Sequence, residues 1–277
     1  MKFPITQRWF VVQWHITDLC GFRCKYCYIP HEYKTGKKRR ELSYDQAIRI
    51  IDELDEFAKK FGLRVRINFV GGDPLLRKDF FEIARYARKK GFFIGILGNP
   101  VLDEEKIKEL KRLPVFRYQI SIDGLKETHE WFRGRRAWDL AIASLRLLGE
   151  YNITRVVLTT ISKINYKEVP PLIEYLYRNR LVEIYDFSEV IPIGEGVKFW
   201  EYGLTAQEFR WLLHQVYMTY KKLWEEGIKV HIGTKEPLWM LMYHDLGVLR
   251  PEVYTLKRVR GGCSIGMSEL VIDCLLY

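Results

Sequence analysis

Six apolar runs alternate with amphipathic stretches along most of the chain, and this alternation constrains the fold more than any other feature. Short runs rich in β-branched and aromatic residues are typical of buried strands. A repeated strand–helix order favours a parallel sheet, because parallel strands are joined by crossover helices. The predicted strands are 9–17, 64–70, 92–97, 115–122, 154–161 and 182–191.

Helices are predicted after these strands, and two of them carry a clear start signal. Ser43 with Gln46 and Thr205 with Glu208 match the capping box, and Gly62 is a helix-ending residue. The remaining predicted helices are 77–90, 103–112, 136–150 and 167–179. The pattern therefore predicts an α/β fold, but periodicity alone does not choose between a partial barrel and an open, doubly wound sheet.

Composition favours a cytoplasmic protein. The chain has 277 residues, a net charge of +10 and five cysteines. No run of 18 apolar residues occurs, so no membrane span is predicted, and the first residues lack a secretory signal pattern. Three cysteines on one loop suit a reducing compartment better than a disulfide framework.

The three clustered cysteines have the spacing C-x3-C-x2-C and follow the first predicted strand. They are Cys20, Cys24 and Cys27. Three thiolates on a short loop can hold three irons of a [4Fe–4S] cluster and leave the fourth iron open, whereas electron-carrying clusters usually have four cysteines. A Cys3His zinc site that includes His31 is the alternative, since zinc prefers four such ligands.

The next three predicted strands also end in unusual residues, at the edge where α/β barrels place their sites. Gly71-Gly72-Asp73-Pro74 follows the second strand, Gly98-Asn99-Pro100 the third, and Ser121-Ile122-Asp123-Gly124 the fourth, with His129 and Arg133 beyond it. Two adjacent glycines let a backbone approach a ligand closely. Taken alone, each motif is also an ordinary turn or helix cap.

Taken together, these motifs resemble those of the radical S-adenosylmethionine (SAM) superfamily. The resemblance implies a partial (β/α)6 TIM-like barrel with a short C-terminal extension. It implies that Cys20, Cys24 and Cys27 hold the cluster, that Tyr26 packs near the SAM adenine, and that the backbone of the Gly-Gly motif meets the SAM amine. The SAM-binding residues implied by the likeness are Tyr26, Gly71, Gly72, Asp73, Asn99, Ser121 and Arg133.

The order of these motifs is similar to the SPASM-type subgroup, which includes peptide and protein maturases. Gly262-Cys263 resembles the opening of a SPASM region, so Cys263 is expected to ligate an auxiliary cluster in a longer parent protein, and Cys274 departs from the pattern. We therefore expect a core barrel over residues 1–232. Residues 233–277 are expected to hold a connector, a helical piece near 239–246 and the start of a truncated SPASM-like region.

The resemblance implies an enzyme. It would cleave SAM reductively at a [4Fe–4S] cluster, with electrons from ferredoxin or flavodoxin, and abstract hydrogen from a peptide or protein during maturation. The alternative substrate is a cofactor precursor, such as the pterin of a tungsten or molybdenum aldehyde ferredoxin oxidoreductase. A further alternative is a non-catalytic Fe–S or zinc protein. No general base is identifiable.

The densest basic clusters are Lys37-Lys-Arg-Arg40 and Arg133-Gly-Arg-Arg136. They fit a solvated face or an acidic partner, of which an electron donor and a peptide are favoured over nucleic acid.

Overall fold

The computed structural model describes residues 8–35, 41–234, 247 and 269–272. Its strands are β1 Arg8–Thr17, β2 Leu63–Gly71, β3 Phe93–Leu97, β4 Arg117–Ser121, β5 Arg155–Ile161, β6 Ile184–Glu189, β7 Ile232–Thr234 and β8 Glu269–Ile272. Its α-helices are α1 Tyr44–Phe61, α2 Phe80–Lys89, α3 Glu104–Arg112, α4 Lys126–Arg133, α5 Ala137–Glu150, α6 Val169–Arg178 and α7 Ala206–Glu225. Short 3-10 helices occupy Tyr33–Thr35, Pro74–Leu76, Tyr166–Glu168 and Gly194–Tyr202.

All eight strands belong to one parallel sheet in the order β7-β6-β5-β4-β3-β2-β1-β8. Adjacent strands follow one another along the chain from β1 to β7, and β8 pairs with the free edge of β1, placing Leu270 opposite Val12. Among the described residues, no pairing joins β7 to β8. The sheet is thus an open, partial barrel, which confirms the predicted fold class.

Helix starts follow from local capping. The side chain of Ser43 accepts the Gln46 N–H at 3.2 Å, and the Gln46 side chain accepts the Ser43 N–H at 2.8 Å. Thr205 and Glu208 form the same reciprocal pair at the start of α7. Gly62 ends α1 with φ 62°, a left-handed conformation that costs glycine little. Both predicted capping boxes are confirmed.

The structure departs from the prediction in three places. Helix α4 was not predicted, and α2 begins at Phe80 rather than 77, because Pro74–Leu76 forms a separate 3-10 turn before it. Strand β7 extends the sheet beyond β6. The predicted helical piece at 239–246, together with Cys263 and Cys274, lies outside the described residues.

The core lies between the sheet and the helices packed on it. Trp14 and Phe69, on neighbouring strands, are fully buried with ring centroids 5.6 Å apart, and Phe80 of α2 packs edge-on to Phe69 at 5.3 Å. Burying side chains of this size contributes most of the stability of such a fold. In the described part of the chain, no helix has the length and apolar character needed to cross a bilayer.

Candidate active site and cofactor cavity

A cavity of about 240 Å³ opens at the carboxyl ends of the strands. Nine of the ten residues predicted to bind the cluster or SAM line it, and Asp73 does not. The other lining residues come from the cysteine loop, the strand ends and the loop after β6. The full lining is Cys20, Cys24, Tyr26, Cys27, Tyr28, Lys34, Val70, Gly71, Gly72, Leu97, Gly98, Asn99, Gln119, Ser121, Arg133, Leu158, Thr160, Ser188, Glu189 and Ile191.

The three loop cysteines are free thiols that face this cavity. Cys24 is buried, and its carbonyl accepts the Cys27 N–H at 3.2 Å, which turns the loop back on itself. Two side chains donate to sulfur: Asn99 Nδ2 to Cys20 at 3.4 Å and Arg133 Nη1 to Cys24 at 3.5 Å. Burial raises the pKa of Cys24, and the Arg133 and Lys34 cations oppose that rise.

The arrangement of the thiols fits a cluster better than a single ion. Among the described histidine, cysteine, aspartate and glutamate side chains, no three converge closely enough to hold one metal ion. His31, the fourth ligand of the zinc alternative, has its Nε2 3.0 Å from the Cys24 carbonyl oxygen. Three thiols that line one cavity can each ligate one iron of a cube.

The Gly-Gly motif brings the end of β2 against the cysteine loop. Gly72 N–H donates to the Thr17 carbonyl at 2.8 Å, and Asp73 N–H donates to the Leu19 carbonyl at 2.7 Å. A side chain on Gly71 or Gly72 would overlap the carbonyl oxygens of Thr17 and Leu19, respectively. The glycines therefore serve a close backbone approach that holds the cysteine loop, and they also leave space at the cavity wall.

Asp73 makes a local capping contact, as the turn interpretation of its motif allows. Its Oδ1 accepts the Leu75 N–H at 3.2 Å and caps the Pro74–Leu76 turn. Burial raises the pKa of this carboxyl, and the Leu75 N–H, Lys106 and Asn99 oppose the rise. Asp73 thus caps the turn that follows β2 and does not line the cavity.

Asp123 organises the far wall of the cavity from a fully buried position. Its Oδ2 accepts the Tyr26 hydroxyl at 2.5 Å and the Arg133 Nε, and Arg133 Nη2 donates to the Tyr26 hydroxyl at 2.5 Å. Burial raises the pKa of Tyr26 well above its usual range, so the phenol stays protonated. This triangle fixes one aromatic ring and one cation at the cavity.

The backbone of Asp123 is itself held by two buried side chains. Its N–H donates to His129 Nδ1 at 3.0 Å, and its carbonyl accepts Asn165 Nδ2 at 2.7 Å. Burial lowers the pKa of His129 to about 4, with Asp123 opposing and Arg133 adding to the shift. His129 is therefore a neutral acceptor that holds the Asp123 backbone.

Sequence reasoning missed several polar residues of the cavity. Thr160 and Ser188 stand at the ends of β5 and β6, and Gln119 lies two residues before Ser121. Their position at carboxyl ends of parallel strands was an available signal. Lys34, which donates to the Phe22 carbonyl at 3.3 Å, follows the cysteine loop and had no such signal.

Comparison with known proteins decides the family. A family model described as the radical SAM superfamily matches residues 14–176, which span the cysteine loop and the strand ends just described. The chain belongs to the radical SAM superfamily. As a radical SAM enzyme it uses a [4Fe–4S] cluster and SAM, and it needs a reductant and a substrate. The non-catalytic alternative is therefore wrong.

One curated relative and two solved structures extend the comparison. The chain is 30% identical over 275 residues to the Fe-coproporphyrin III synthase of Methanosarcina barkeri, covering 96% of this chain and 66% of that protein. SuiB of Streptococcus suis bound to S-adenosylmethionine has a TM-score of 0.70 and 14% identity, over 97% of this chain and 59% of SuiB. The anSMEcpe structure with AdoMet and the Cp18Cys peptide has a TM-score of 0.70 and 17% identity, over 97% of this chain and 72% of that one.

This radical SAM chain therefore spans just under two thirds of the length of that curated relative. The two solved structures share its fold, and each contains bound S-adenosylmethionine.

Proposed function

We propose that Cys20, Cys24 and Cys27 bind three irons of the cluster and that the cavity beside them binds SAM. The observation that carries this assignment is the convergence of the three thiols, the Gly71-Gly72 backbone and the Tyr26–Arg133 pair on one cavity. With both cofactors bound, one-electron reduction would split SAM into methionine and a 5′-deoxyadenosyl radical that removes hydrogen from the substrate.

The chain's own residues would bind and orient SAM. The backbone at Gly71 and Gly72 would contact the SAM amine. Arg133 and Ser121 would contact its carboxylate or ribose, and Tyr26 would pack near the adenine. Asn99 donates to the Cys20 sulfur and lines the same cavity. Asp123 would act through Tyr26 and Arg133 as a positioning residue, since it does not reach the cavity.

The substrate is proposed to be a carboxylated cofactor precursor of the tetrapyrrole type. Similarity to an Fe-coproporphyrin III synthase over 96% of the chain supports this class. The rim of the cavity supports it as well, because Tyr28 and Ile191 line the cavity, are substantially exposed and offer apolar surface to a flat ring. A cavity of about 240 Å³ leaves little room beyond SAM, so a large substrate would rest on this rim.

A peptide is the second candidate, and it is favoured by the shared fold with anSMEcpe in complex with a peptide. The SPASM-type assignment, the auxiliary ligand Cys263 and the division of the chain at residue 232 remain part of this proposal. The pterin alternative remains an untested prediction.

Binding separates the two substrate classes. We expect Fe-coproporphyrin III, used as the probe, to bind the reconstituted protein with a shift of its Soret absorption, and Ile191→Glu to weaken that binding. Phe61→Glu is the matched control, because Phe61 is similarly exposed but ends α1 at the opposite edge of the sheet. Equal binding to both variants, or stimulation of 5′-deoxyadenosine formation by a peptide alone, would contradict the tetrapyrrole assignment.

A further inference from the structure

The outer side of the cysteine loop is a cationic surface centred on one exposed tryptophan. Along the loop, Cys24 is buried while its neighbours Arg23 and Lys25 are exposed. Cys24 and Tyr26 line the cavity, and neither Arg23 nor Lys25 does so. The loop thus has two faces, one turned to the cofactors and the other turned to solvent.

Helix α4 completes this surface. The Lys25 N–H donates to the Phe132 carbonyl at 3.0 Å, which fastens the loop to the end of α4. The Lys25 ammonium lies 4.6 Å from the centre of the Trp131 ring. Arg135 and Arg136, both exposed, follow directly after α4. The exposed cations therefore lie on the cysteine loop and directly after α4, and we call Arg23, Lys25, Trp131, Arg135 and Arg136 the loop patch.

The loop patch has the properties of a protein-docking surface. Trp131 is 47% exposed, yet its ring is held by Phe132 at 4.9 Å and Phe199 at 6.3 Å. A rigid, exposed tryptophan is the residue type most enriched at binding hot spots. Within the described part of the chain, none of the four cations forms an ion pair. Their charge is available to steer an acidic partner.

The position of the patch identifies the class of that partner. A protein seated on Arg23 and Lys25 is separated from the cluster cysteines only by the thickness of the loop backbone. We propose that an acidic ferredoxin docks on the loop patch and delivers the reducing electron, an inference that rests on the proposed function. One electron leaves the reduced ferredoxin and enters the enzyme's cluster, and no bond or proton is exchanged.

The test compares two variants that change the net charge equally. Arg135→Glu with Arg136→Asn removes two positive charges from the patch and adds one negative charge, and asparagine suits the left-handed backbone of position 136, where φ is 66°. Lys111→Glu with Arg146→Gln makes the same change at exposed positions near the C-terminal ends of α3 and α5, far from the loop. Trp131→Ala tests the indole.

Calorimetric titration of each protein with oxidised ferredoxin gives the first readout. We expect the patch double variant and Trp131→Ala to weaken binding by roughly tenfold or more at low salt, and the control variant to bind like the parent. Raising the ionic strength from about 0.01 M to about 0.15 M should weaken the parent more than the patch variant, because the screening length falls from about 30 Å to about 8 Å.

The second readout is the formation of 5′-deoxyadenosine with two reductants. With reduced ferredoxin, the patch variant should form little 5′-deoxyadenosine. Dithionite needs no docking surface, so with dithionite both double variants should form equal amounts. Unchanged ferredoxin binding in the patch variant would overturn the proposal. So would an equal loss of ferredoxin binding in the control variant, or a loss of product that appears only when reduced flavodoxin is the reductant. If dithionite gives no product even in the parent, the proposed function fails, and the calorimetric comparison still decides the docking site.

Discussion

Arg133 and Asp123 form an ion pair beneath the cysteine loop, with the guanidinium Nε donating to the Oδ2 of a carboxylate that has no exposed surface. A buried charge without its partner is costly, because neither water nor a counter-ion compensates it. Asp123→Ala should therefore lower the free energy of unfolding by about 3–5 kcal/mol. Tyr26→Phe removes a hydroxyl from the same triangle and should cost about 1 kcal/mol. Chemical denaturation of the parent and both variants measures these losses. A larger loss of unfolding free energy in Tyr26→Phe than in Asp123→Ala would contradict the prediction.

The close approach of Gly72 to the cysteine loop predicts a steric effect on cluster binding. A methyl group at position 72 would overlap backbone oxygens of Leu19 and Asp18, which cannot move without the loop. Gly72→Ala should destabilise the protein by about 1–3 kcal/mol and lower the iron bound per chain after reconstitution.

Gly21→Ala is the control for that substitution. It lies within the same loop, but an added methyl group there meets no atom within 4 Å. Iron content should match that of the parent. Equal iron in Gly72→Ala and Gly21→Ala would show that the contact does not position the loop.

Asn99 is predicted to tune the reduction potential of the cluster. Its Nδ2 donates to the Cys20 sulfur at 3.4 Å, and hydrogen bonds to cluster sulfurs favour the reduced, more negative state. Asn99→Ala should lower the midpoint potential by tens of millivolts in a redox titration followed by electron paramagnetic resonance, without loss of iron. An unchanged or raised potential would contradict this contact.

The lowered pKa of His129 predicts that the protein loses stability in acid. Its folded-state pKa of about 4 lies below the ordinary value of about 6.5. The unfolded chain therefore binds a proton between these two values and the folded chain does not, so stability falls as the pH drops through this window. The expected loss by pH 4 is roughly 3 kcal/mol.

The variant His129→Gln separates this effect from other acid-sensitive groups. Glutamine can still accept the Asp123 N–H but does not titrate. The free energy of unfolding, measured from pH 7 to pH 4, should fall less steeply in the variant than in the parent. Parallel curves would mean that His129 does not carry the pH dependence.

Local signals in the sequence account for most of the fold. The capping residues Ser43 and Thr205 determine their own helix starts through contacts three residues away, so a local pattern is sufficient. Helix α4 was missed because it has only eight residues and buries only His129 and Phe132, too few for a periodic stripe. Strand β7 has three residues and owes its existence to the edge of β6, which is a long-range cause.

The candidate site shows the same contrast between local and long-range causes. The cysteines and glycines were predictable because their spacing is local. The role of Asp123 was not, since it joins Tyr26 to Arg133 across about a hundred residues of sequence. Such contacts depend on how the strands are arranged in the sheet, which no single motif encodes.

The central claim is that the three loop cysteines support reductive cleavage of SAM. The most direct measurement is mass-spectrometric detection of 5′-deoxyadenosine after anaerobic reconstitution with iron and sulfide, followed by SAM and dithionite. The parent protein and Cys274→Ala should form it, and Cys20→Ala, Cys24→Ala and Cys27→Ala should not. Product that persists in any of the three loop variants, or a parent protein that holds zinc and yields none, would contradict the account.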